Sequence, residues 1–341
     1  MPINPTINDV ARLAGVSTTT VSHIINGTRY VSDDLKERVE KAIAELGYRP
    51  NSMARGLRRG ESKTIGLIVP DNSNPFFAEI LRSIENIGYS SGYSVILCNS
   101  DSDIQKEIAY TDLLFAKQVD GIVFITTTNS CEHLQQLTDG GIPIVVIDRD
   151  IPLKGTDVLL VDNFQGGYDA TRYLIELGHR NIACITGPSR FTPSADRVNG
   201  YKKALTETGI EVNDDWIVAG DFQFLGGENG VEQLLSLSNR PTAIFACNDL
   251  MALGAMRSLR KAHLSVPKDI SLIGFDDISL TSVVSPALTT VAQPIQKISE
   301  LAFELLINRI QKKSDAFEEK RVVLPTQLII RESCKKPGEI N

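Results

Sequence analysis

Several absences narrow what this chain can be. No apolar run reaches the roughly eighteen residues of a membrane-spanning helix, and the N-terminus lacks the charged-then-apolar pattern of a signal peptide. The five cysteines lie far apart and form no C-x-x-C pair, which favours reduced thiols over disulfides or a zinc site. We therefore expect a cytoplasmic protein with no membrane partner.

Signatures of enzymes are missing as well. The chain has no G-x-x-x-x-G-K-[ST] phosphate loop, no G-x-G-x-x-G after its first strand pattern and no G-x-S-x-G nucleophile elbow. Its four histidines do not have the spacing of metal ligands. We expect a protein that is not an enzyme and that holds no metal and no cofactor.

What is present begins with two short helical patterns joined by a tight turn. Apolar residues recur at helical spacing from Ile7 to Ala14 and again from Val21 to Ile25. Between them, Gly15 permits a positive φ and Ser17 can cap the second helix. This pattern predicts a helix-turn-helix, the geometry that places a second helix in the DNA major groove.

The outward face of the second helix is small, polar and uncharged, which suits contact with base edges. Thr18, Thr19, Ser22 and His23 form this face. The alternative is an ordinary helical hairpin whose Ser and Thr side chains are merely solvated.

A third helix is expected from about Ser32 to Leu46, and a basic, glycine-punctuated stretch follows from Tyr48 to Gly60. Residues 1–60 contain nine Lys or Arg and six Asp or Glu, although the whole chain carries a net charge of −7. Positive charge is therefore concentrated where contacts with DNA phosphates would be needed.

From Thr64 onward, short apolar runs alternate with amphipathic helical stretches. Continuous apolar runs are typical of parallel strands that helices cover on both faces. Two sets of such repeats predict an α/β fold with two doubly wound parallel-sheet lobes, and ligands of such lobes sit beyond the carboxyl ends of the strands.

Polar and aromatic side chains follow the ends of these predicted strands. Asp, Asn, Arg and Gln can pair the hydroxyl groups of a sugar, and Phe can cover its C–H surface. Taken singly, such residues have ordinary explanations, because an Asp often caps a helix and Phe76 could belong to the core. We expect Asp249 and Asp277 to cap the helices that follow them.

Residues Thr6 to Arg59 resemble the headpiece and hinge of the LacI/GalR family of bacterial transcription regulators, and the similarity continues through the remaining chain. The resemblance implies a periplasmic-binding-protein-like pair of lobes behind a helix-turn-helix headpiece and a hinge helix. It also implies a repressor that binds palindromic operator DNA as a homodimer. In this family a hinge leucine, here Leu57, kinks the centre of the operator from the minor groove; an ordinary buried leucine is the alternative. The implied DNA contacts are Thr6, Ser17, Thr18, Thr19, Ser22, His23, Asn26, Tyr30, Asn51, Ala54, Arg55 and Leu57.

Within the family the resemblance is strongest to ribose-operon repressors, and it implies a small sugar effector such as ribose. The effector contacts that it implies are Asn74, Phe76, Phe77, Asp148, Arg149, Arg197, Phe222, Asn248, Asp276 and Gln293. A purine-responsive repressor, or a catabolite-control-type regulator whose partner is a phosphocarrier protein, remains an alternative. The resemblance favours an inducer over a corepressor, and a dimer over a tetramer.

The expected domains follow from these assignments. The headpiece spans residues 1–49, the hinge helix 50–60 and the effector-binding and dimerisation domain 61–341. In the family the chain crosses between the lobes three times, here near Asp162, Val291 and Val322. Lobe 1 would then comprise about 61–162 and 292–321, and lobe 2 about 163–291 and 322–335.

Overall fold

The computed structural model describes residues 5–49, 61–125, 132–188, 192–312 and 318–338. The chain divides into two compact units, Met1–Ser62 and Lys63–Asn341. The expected hinge helix, residues 50–60, lies outside the described residues.

In the described residues of the first unit, the chain forms three helices: α1 (Ile7–Ala14), α2 (Thr18–Asn26) and α3 (Asp33–Leu46). A capping box starts α1, because Thr6 Oγ1 accepts from the Asp9 amide while the Asp9 carboxylate accepts from the Thr6 amide. Gly15 ends this helix with a φ of 66°, a conformation that glycine adopts without strain. The helices bury a small apolar core formed by Val10, Ala11, Ala14, Val21, Val39 and Ala42.

The second unit contains two six-stranded sheets, one in each lobe. The sheet of lobe 1 has the order β11-β5-β4-β3-β1-β2, and all its strand pairs are parallel. Its strands are β1 (Thr64–Val69), β2 (Ser94–Asn99), β3 (Gly121–Ile125), β4 (Ile144–Ile147), β5 (Asp157–Val161) and β11 (Arg321–Leu324). The helices of this lobe are α4 (Pro75–Ser90), α5 (Ile104–Ala116), α6 (Glu132–Asp139) and α11 (Ile295–Lys312).

The sheet of lobe 2 has the order β12-β10-β9-β8-β6-β7. It is parallel except at its edge, where β12 runs antiparallel to β10, a difference from the parallel arrangement that the apolar runs predicted. Its strands are β6 (Ile182–Thr186), β7 (Ile217–Ala219), β8 (Ala243–Ala246), β9 (Ser271–Asp276), β10 (Thr289–Ala292) and β12 (Gln327–Ile329). Its helices are α7 (Asn163–Glu176), α8 (Thr192–Glu207), α9 (Phe224–Ser236) and α10 (Asp249–Lys261). Two single 3₁₀ turns lie at Asp214–Trp216 and Ser279–Ser282.

The chain crosses between the lobes wherever consecutive elements belong to different lobes, and this happens three times in the described residues. The first crossing joins β5 to α7, the second joins β10 to α11, and the third joins β11 to β12. The third crossing follows Leu324, two residues after Val322, because β11 pairs with β5 over its whole length. The segment 322–324 therefore lies in the sheet of lobe 1.

Three of the described cysteines, Cys98, Cys184 and Cys247, are buried free thiols, and Cys334 is half-buried. Among the helices of the described ranges, none is both long enough and apolar enough to cross a membrane.

Candidate DNA-contacting face and effector cleft

The second helix of the headpiece presents the polar face that its sequence predicted. Thr18 and Thr19 are exposed, whereas Ser22 and His23 are half-buried. Tyr30, in the turn that follows α2, is 89% exposed. These side chains are available to a partner of the headpiece.

Other predicted DNA contacts form hydrogen bonds within the headpiece. The Thr6 hydroxyl donates to the Asp9 carboxylate over 2.7 Å, and the Ser17 hydroxyl accepts from the Thr20 amide over 3.0 Å. Asn26 Nδ2 donates to the Ser22 carbonyl over 2.7 Å, which ties the last turn of α2 together. Thr6 and Ser17 therefore orient the helices through their caps.

Asn51, Ala54, Arg55 and Leu57 lie outside the described residues. Their assignment as hinge contacts with DNA stays a prediction.

In the second unit, the predicted effector residues gather where strands of the two lobes end. Asn74 and Arg149 follow strands β1 and β4 of lobe 1, and both are buried. Asn248, Asp276 and Gln293 lie at the ends of β8, β9 and β10 in lobe 2 and are buried as well. The result is a cleft lined mostly by polar and charged groups.

Arg197 contacts several of the residues that line this cleft. Its Cζ atom lies 3.6 Å from the centroid of the Phe275 ring, and its Nη1 donates to the Cys247 carbonyl over 2.5 Å. The same Nη1 lies 3.6 Å from Asp276 Oδ1. Because Arg197 is only 3% exposed, these contacts hold its guanidinium in one orientation.

Asp276 is oriented in turn by Gln293, whose Nε2 donates to Asp276 Oδ1 over 2.7 Å. The other amide atom of that side chain, Gln293 Oε1, is buried and accepts no hydrogen bond from the described residues. A buried acceptor of this kind is a position where a ligand hydroxyl could donate.

Two predicted residues also have the ordinary role of helix caps. Asn74 Oδ1 accepts from the Phe76 amide at the start of α4 over 3.1 Å, and Asn248 Oδ1 accepts from the Met251 amide at the start of α10 over 2.9 Å. The Asn248 amide nitrogen donates to the Phe222 carbonyl over 2.9 Å, so this side chain also braces the backbone of another cleft residue.

Aromatic rings are present in both lobes. Phe76 and Phe77 meet edge to face in lobe 1, with their centroids 5.1 Å apart, and Phe76 is buried. In lobe 2 the Phe222 ring covers Gly187, since a Cβ atom built on that glycine would lie 2.1 Å from the ring. A larger residue at Gly187 would displace the ring.

Charged and polar side chains of the two lobes lie near each other across the cleft. Asp148 of lobe 1 lies 3.7 Å from Arg149, and burial raises the Asp148 pKa against the opposing charges of Arg149 and of Arg197 in lobe 2. A direct hydrogen bond also joins the lobes, because Gln223 Nε2 donates to Asp71 Oδ2 over 2.9 Å.

Burial shifts the carboxyl groups of the cleft toward their neutral forms. Burial raises the pKa of Asp276 to about 7 despite the opposing effects of Arg197 and Gln293, and the Asp148 charge adds to the rise. Burial likewise raises the pKa of Asp148, although the guanidinium groups of Arg149 and Arg197 oppose it. The pKa of Asp249 lies well above its usual range, through burial and the neighbouring Asp276 charge.

Three predicted effector residues have left-handed backbone conformations that non-glycine residues rarely adopt. The φ angles are 72° at Asp148, 66° at Phe222 and 115° at Asp276. Such strain costs roughly 1–3 kcal/mol per residue and collects at ligand sites, where the surrounding structure enforces it. Sequence patterns give no signal for it.

Asn163 follows a predicted strand end and is therefore a sequence candidate for the cleft, but the effector contacts implied by the resemblance include neither it nor Phe275. Both touch the Arg197 side chain. The expectation that Asp249 caps a helix is wrong, because Asn248 is the cap of α10. The fully buried Asp249 instead accepts from the Thr290 hydroxyl over 2.6 Å and from the Ile278 amide over 2.9 Å.

Asp277 does not cap a helix by a side-chain hydrogen bond either. Its carboxylate accepts from Arg331 Nη2 over 2.7 Å and from the Thr281 hydroxyl over 3.1 Å. Within the described ranges, no three His, Cys, Asp or Glu side chains are placed to hold a metal ion.

Known proteins resemble this chain along almost its whole length. Residues 6–51 match the family described as bacterial regulatory proteins, lacI family, and residues 62–332 match periplasmic binding proteins and the sugar binding domain of the LacI family. The ribose operon repressor of Escherichia coli (strain K12) is 42% identical over 96% of this chain and 99% of its own length. The transcriptional repressor PurR of Vibrio campbellii is 41% identical over 97% of this chain and 99% of its own length.

Solved structures share the fold. A lac repressor dimer bound to operator and an anti-inducer has a TM-score of 0.85 and 28% identity, covering 98% of this chain and all of that one. A LacI family regulator from Enterococcus faecium with bound ribose has a TM-score of 0.73 and 34% identity, covering 80% of this chain and 99% of that one. The predicted family and fold class are confirmed. The chain belongs to the lacI family of bacterial regulatory proteins and is a DNA-binding transcriptional repressor, not an enzyme.

Proposed function

We propose that this repressor controls a sugar-utilisation operon in the cytoplasm, binds a palindromic operator as a homodimer and is released by a small sugar, with ribose as the leading candidate. The observation that carries the sugar assignment is the set of buried charged groups around Arg197 in the cleft.

The chemistry of the cleft supports a polyhydroxyl ligand. Each sugar hydroxyl can donate one hydrogen bond and accept others, so a sugar needs acceptors and donors on several sides. Asp148 and Asp276 supply acceptors, Arg149 and Arg197 supply donors, and the Gln293 amide oxygen supplies a further acceptor. The Phe76 and Phe222 rings can cover the apolar C–H surface of the sugar.

A purine effector is the second candidate, because PurR of Vibrio campbellii is about as similar to this chain as the ribose operon repressor is. A flat base presents fewer hydrogen-bond donors to the Asp148 and Asp276 carboxyl groups than a pentose does. Leaving the remaining acceptor positions of these carboxyl groups unfilled in a closed cleft is costly, and this favours the sugar.

Exposed apolar side chains of lobe 2 support assembly with a second copy. Leu225 is 62% exposed at the start of α9, and Leu280 and Val283 are 43% and 75% exposed near the 3₁₀ turn that follows β9. The lac repressor structure is a dimer bound to operator. A dimer presents two recognition helices to two half-sites of a symmetric operator.

Calorimetric titration tests the effector. Ribose, ribose 5-phosphate and hypoxanthine are titrated separately into the wild-type protein and into Arg149→Ala, with Arg180→Ala as an exposed-arginine control outside the cleft. We expect heat from ribose with the wild type and the control, and none with Arg149→Ala. Heat from hypoxanthine alone would replace the sugar assignment with a purine.

Selection of bound sequences from random duplex oligonucleotides tests the operator. We expect a symmetric site whose half-sites change when Thr19 is replaced, because base contacts determine sequence preference. Recovery of no symmetric site would contradict the dimeric operator complex.

A further inference from the structure

One side chain connects the centre of the cleft with the first crossing between the lobes. Asn163 is 5% exposed and follows directly after Asp162, the N-cap of α7. Its Oδ1 accepts from Arg197 Nε over 2.8 Å, and its Nδ2 donates to the carbonyl of Val161, the last residue of β5, over 3.1 Å. A single amide thus joins a lobe 2 guanidinium to a lobe 1 strand.

The helices that carry the two partners pack too closely to move independently. A Cβ atom on Gly167 of α7 would lie 2.2 Å from the Arg197 carbonyl oxygen, and one on Gly200 of α8 would lie 2.1 Å from the Phe164 carbonyl oxygen. The α7 and α8 backbones are therefore in direct contact about one helical turn or less from Asn163 and Arg197. A displacement of Arg197 along this contact is transmitted to the start of α7.

The other two crossings adjoin the same group of side chains. Gln293 begins the second crossing and donates to Asp276, the neighbour of Arg197. Thr326 lies in the third crossing, and a Cβ atom on Gly166 would lie 3.0 Å from its Oγ1 and 2.7 Å from the Phe275 ring on which Arg197 stacks. All three connections between the lobes thus converge on Arg197 and its immediate neighbours.

We propose that Asn163 is a positioning residue that couples the effector-contacting guanidinium of Arg197 to the crossings between the lobes. A ligand that engages Arg197 then changes the angle between the lobes through Asn163, in addition to filling the cleft. This inference rests on the proposed function, because it assumes that the cleft around Arg197 receives the effector.

Two substitutions at this position separate its two hydrogen bonds. Asn163→Asp keeps an oxygen for Arg197 but removes the donor to Val161, and Asn163→Ala removes both. The matched control is Gln165→Ala, an exposed residue two positions along the same helix. Each protein is titrated with ribose, and operator affinity is measured by fluorescence anisotropy without sugar and at saturating ribose.

The ratio of the two operator affinities is the readout that a merely structural role would not change. We expect Asn163→Asp to bind ribose within about threefold of the wild type, while the ratio falls about tenfold or more. Asn163→Ala should lose affinity for ribose as well, and Gln165→Ala should match the wild type. A wild-type ratio in both Asn163 variants would overturn the proposal.

Hydrogen exchange of the ligand-free proteins distinguishes failure of this inference from failure of the proposed function. If ribose does not change the operator affinity of the wild-type protein, the sugar assignment fails. The hydrogen-exchange measurement then tests the role of Asn163 by itself. We expect faster exchange in both variants at the second and third crossings, which are remote from Asn163 in sequence. Faster exchange confined to the first turn of α7 would identify a local structural role and overturn the proposal.

Discussion

At the scale of single residues, the described part of the cleft contains three buried acidic groups and two buried guanidinium groups. Asp148, Asp249 and Asp276 all have raised pKa values, while Arg149 and Arg197 are the buried cations beside them. Burying an unneutralised carboxylate is costly, so the ligand-free protein retains protons in the cleft at pH values where the unfolded chain has lost them.

Asp276→Asn should change how stability depends on pH. Folding raises the pKa of Asp276 from 3.8 to about 7, so the native state binds the extra proton between these values. The free energy of unfolding therefore falls as the pH rises from 4 to 7, by roughly 4 kcal/mol at most. The variant lacks the titrating group.

Thermal denaturation of ligand-free wild type and Asp276→Asn at a series of pH values measures this effect. Between pH 4 and 7 we expect the melting temperature of the variant to rise relative to that of the wild type. Above pH 7 the difference between the two should stay constant. A difference that does not change with pH would contradict the raised pKa of Asp276.

At the scale of secondary-structure elements, caps and close helix contacts determine where functional side chains point. The capping box at Thr6 sets the start of α1, and Ser17 sets the start of the recognition helix α2. In lobe 2 the contact between α7 and α8 requires glycine at two positions where the backbones approach each other.

Thr6→Ala should destabilise the headpiece by about 1 kcal/mol, because the Asp9 amide loses its side-chain acceptor. Hydrogen exchange of the α1 amides in the full-length protein measures this loss as about a fivefold increase in exchange. Thr18→Ala, an exposed residue in the first turn of α2, is the control and should leave exchange in α1 unchanged.

Gly167→Ala should destabilise the protein by roughly 1–3 kcal/mol, since the added methyl group would overlap the Arg197 carbonyl. Gly88→Ala is the matched control in α4, where a Cβ atom would lie at an ordinary 3.4 Å from Val95. The control should gain up to about 1 kcal/mol from the helix propensity of alanine. Equal stability of the two variants in denaturant titrations would contradict the close approach of α7 and α8.

At the scale of the whole molecule, the proposed repressor has two binding activities in two separate units of the chain. The headpiece contains α2, the candidate DNA-contacting helix, and the second unit contains the candidate effector cleft. Release of DNA by a sugar requires a coupling free energy between these activities, and such coupling is reciprocal by thermodynamic necessity.

Saturating ribose should weaken operator binding by about tenfold or more, and saturating operator should weaken ribose binding by the same factor. Anisotropy titrations of labelled operator and calorimetric titrations of ribose, each with and without the other ligand, measure the two factors. Tighter operator binding in ribose would reverse the sign and make the sugar a corepressor.

Features that depend on neighbouring residues could be predicted from the sequence. The helix-turn-helix, its cap at Ser17, and the alternation of apolar strands with helices all arise from residues a few positions apart. Strand-end positions also identified the polar residues of the cleft, because the carboxyl ends of parallel strands share one edge of a sheet.

Only the tertiary structure decided how these residues meet. Arg197 contacts Asn163, Cys247, Phe275 and Asp276, and the last three follow it in sequence by fifty residues or more. The raised pKa of Asp276 and its positive φ arise from this packing. The amino-acid sequence determined the elements and the residue types at their ends, whereas burial and contacts between distant segments determined which of those residues form one charged, strained site.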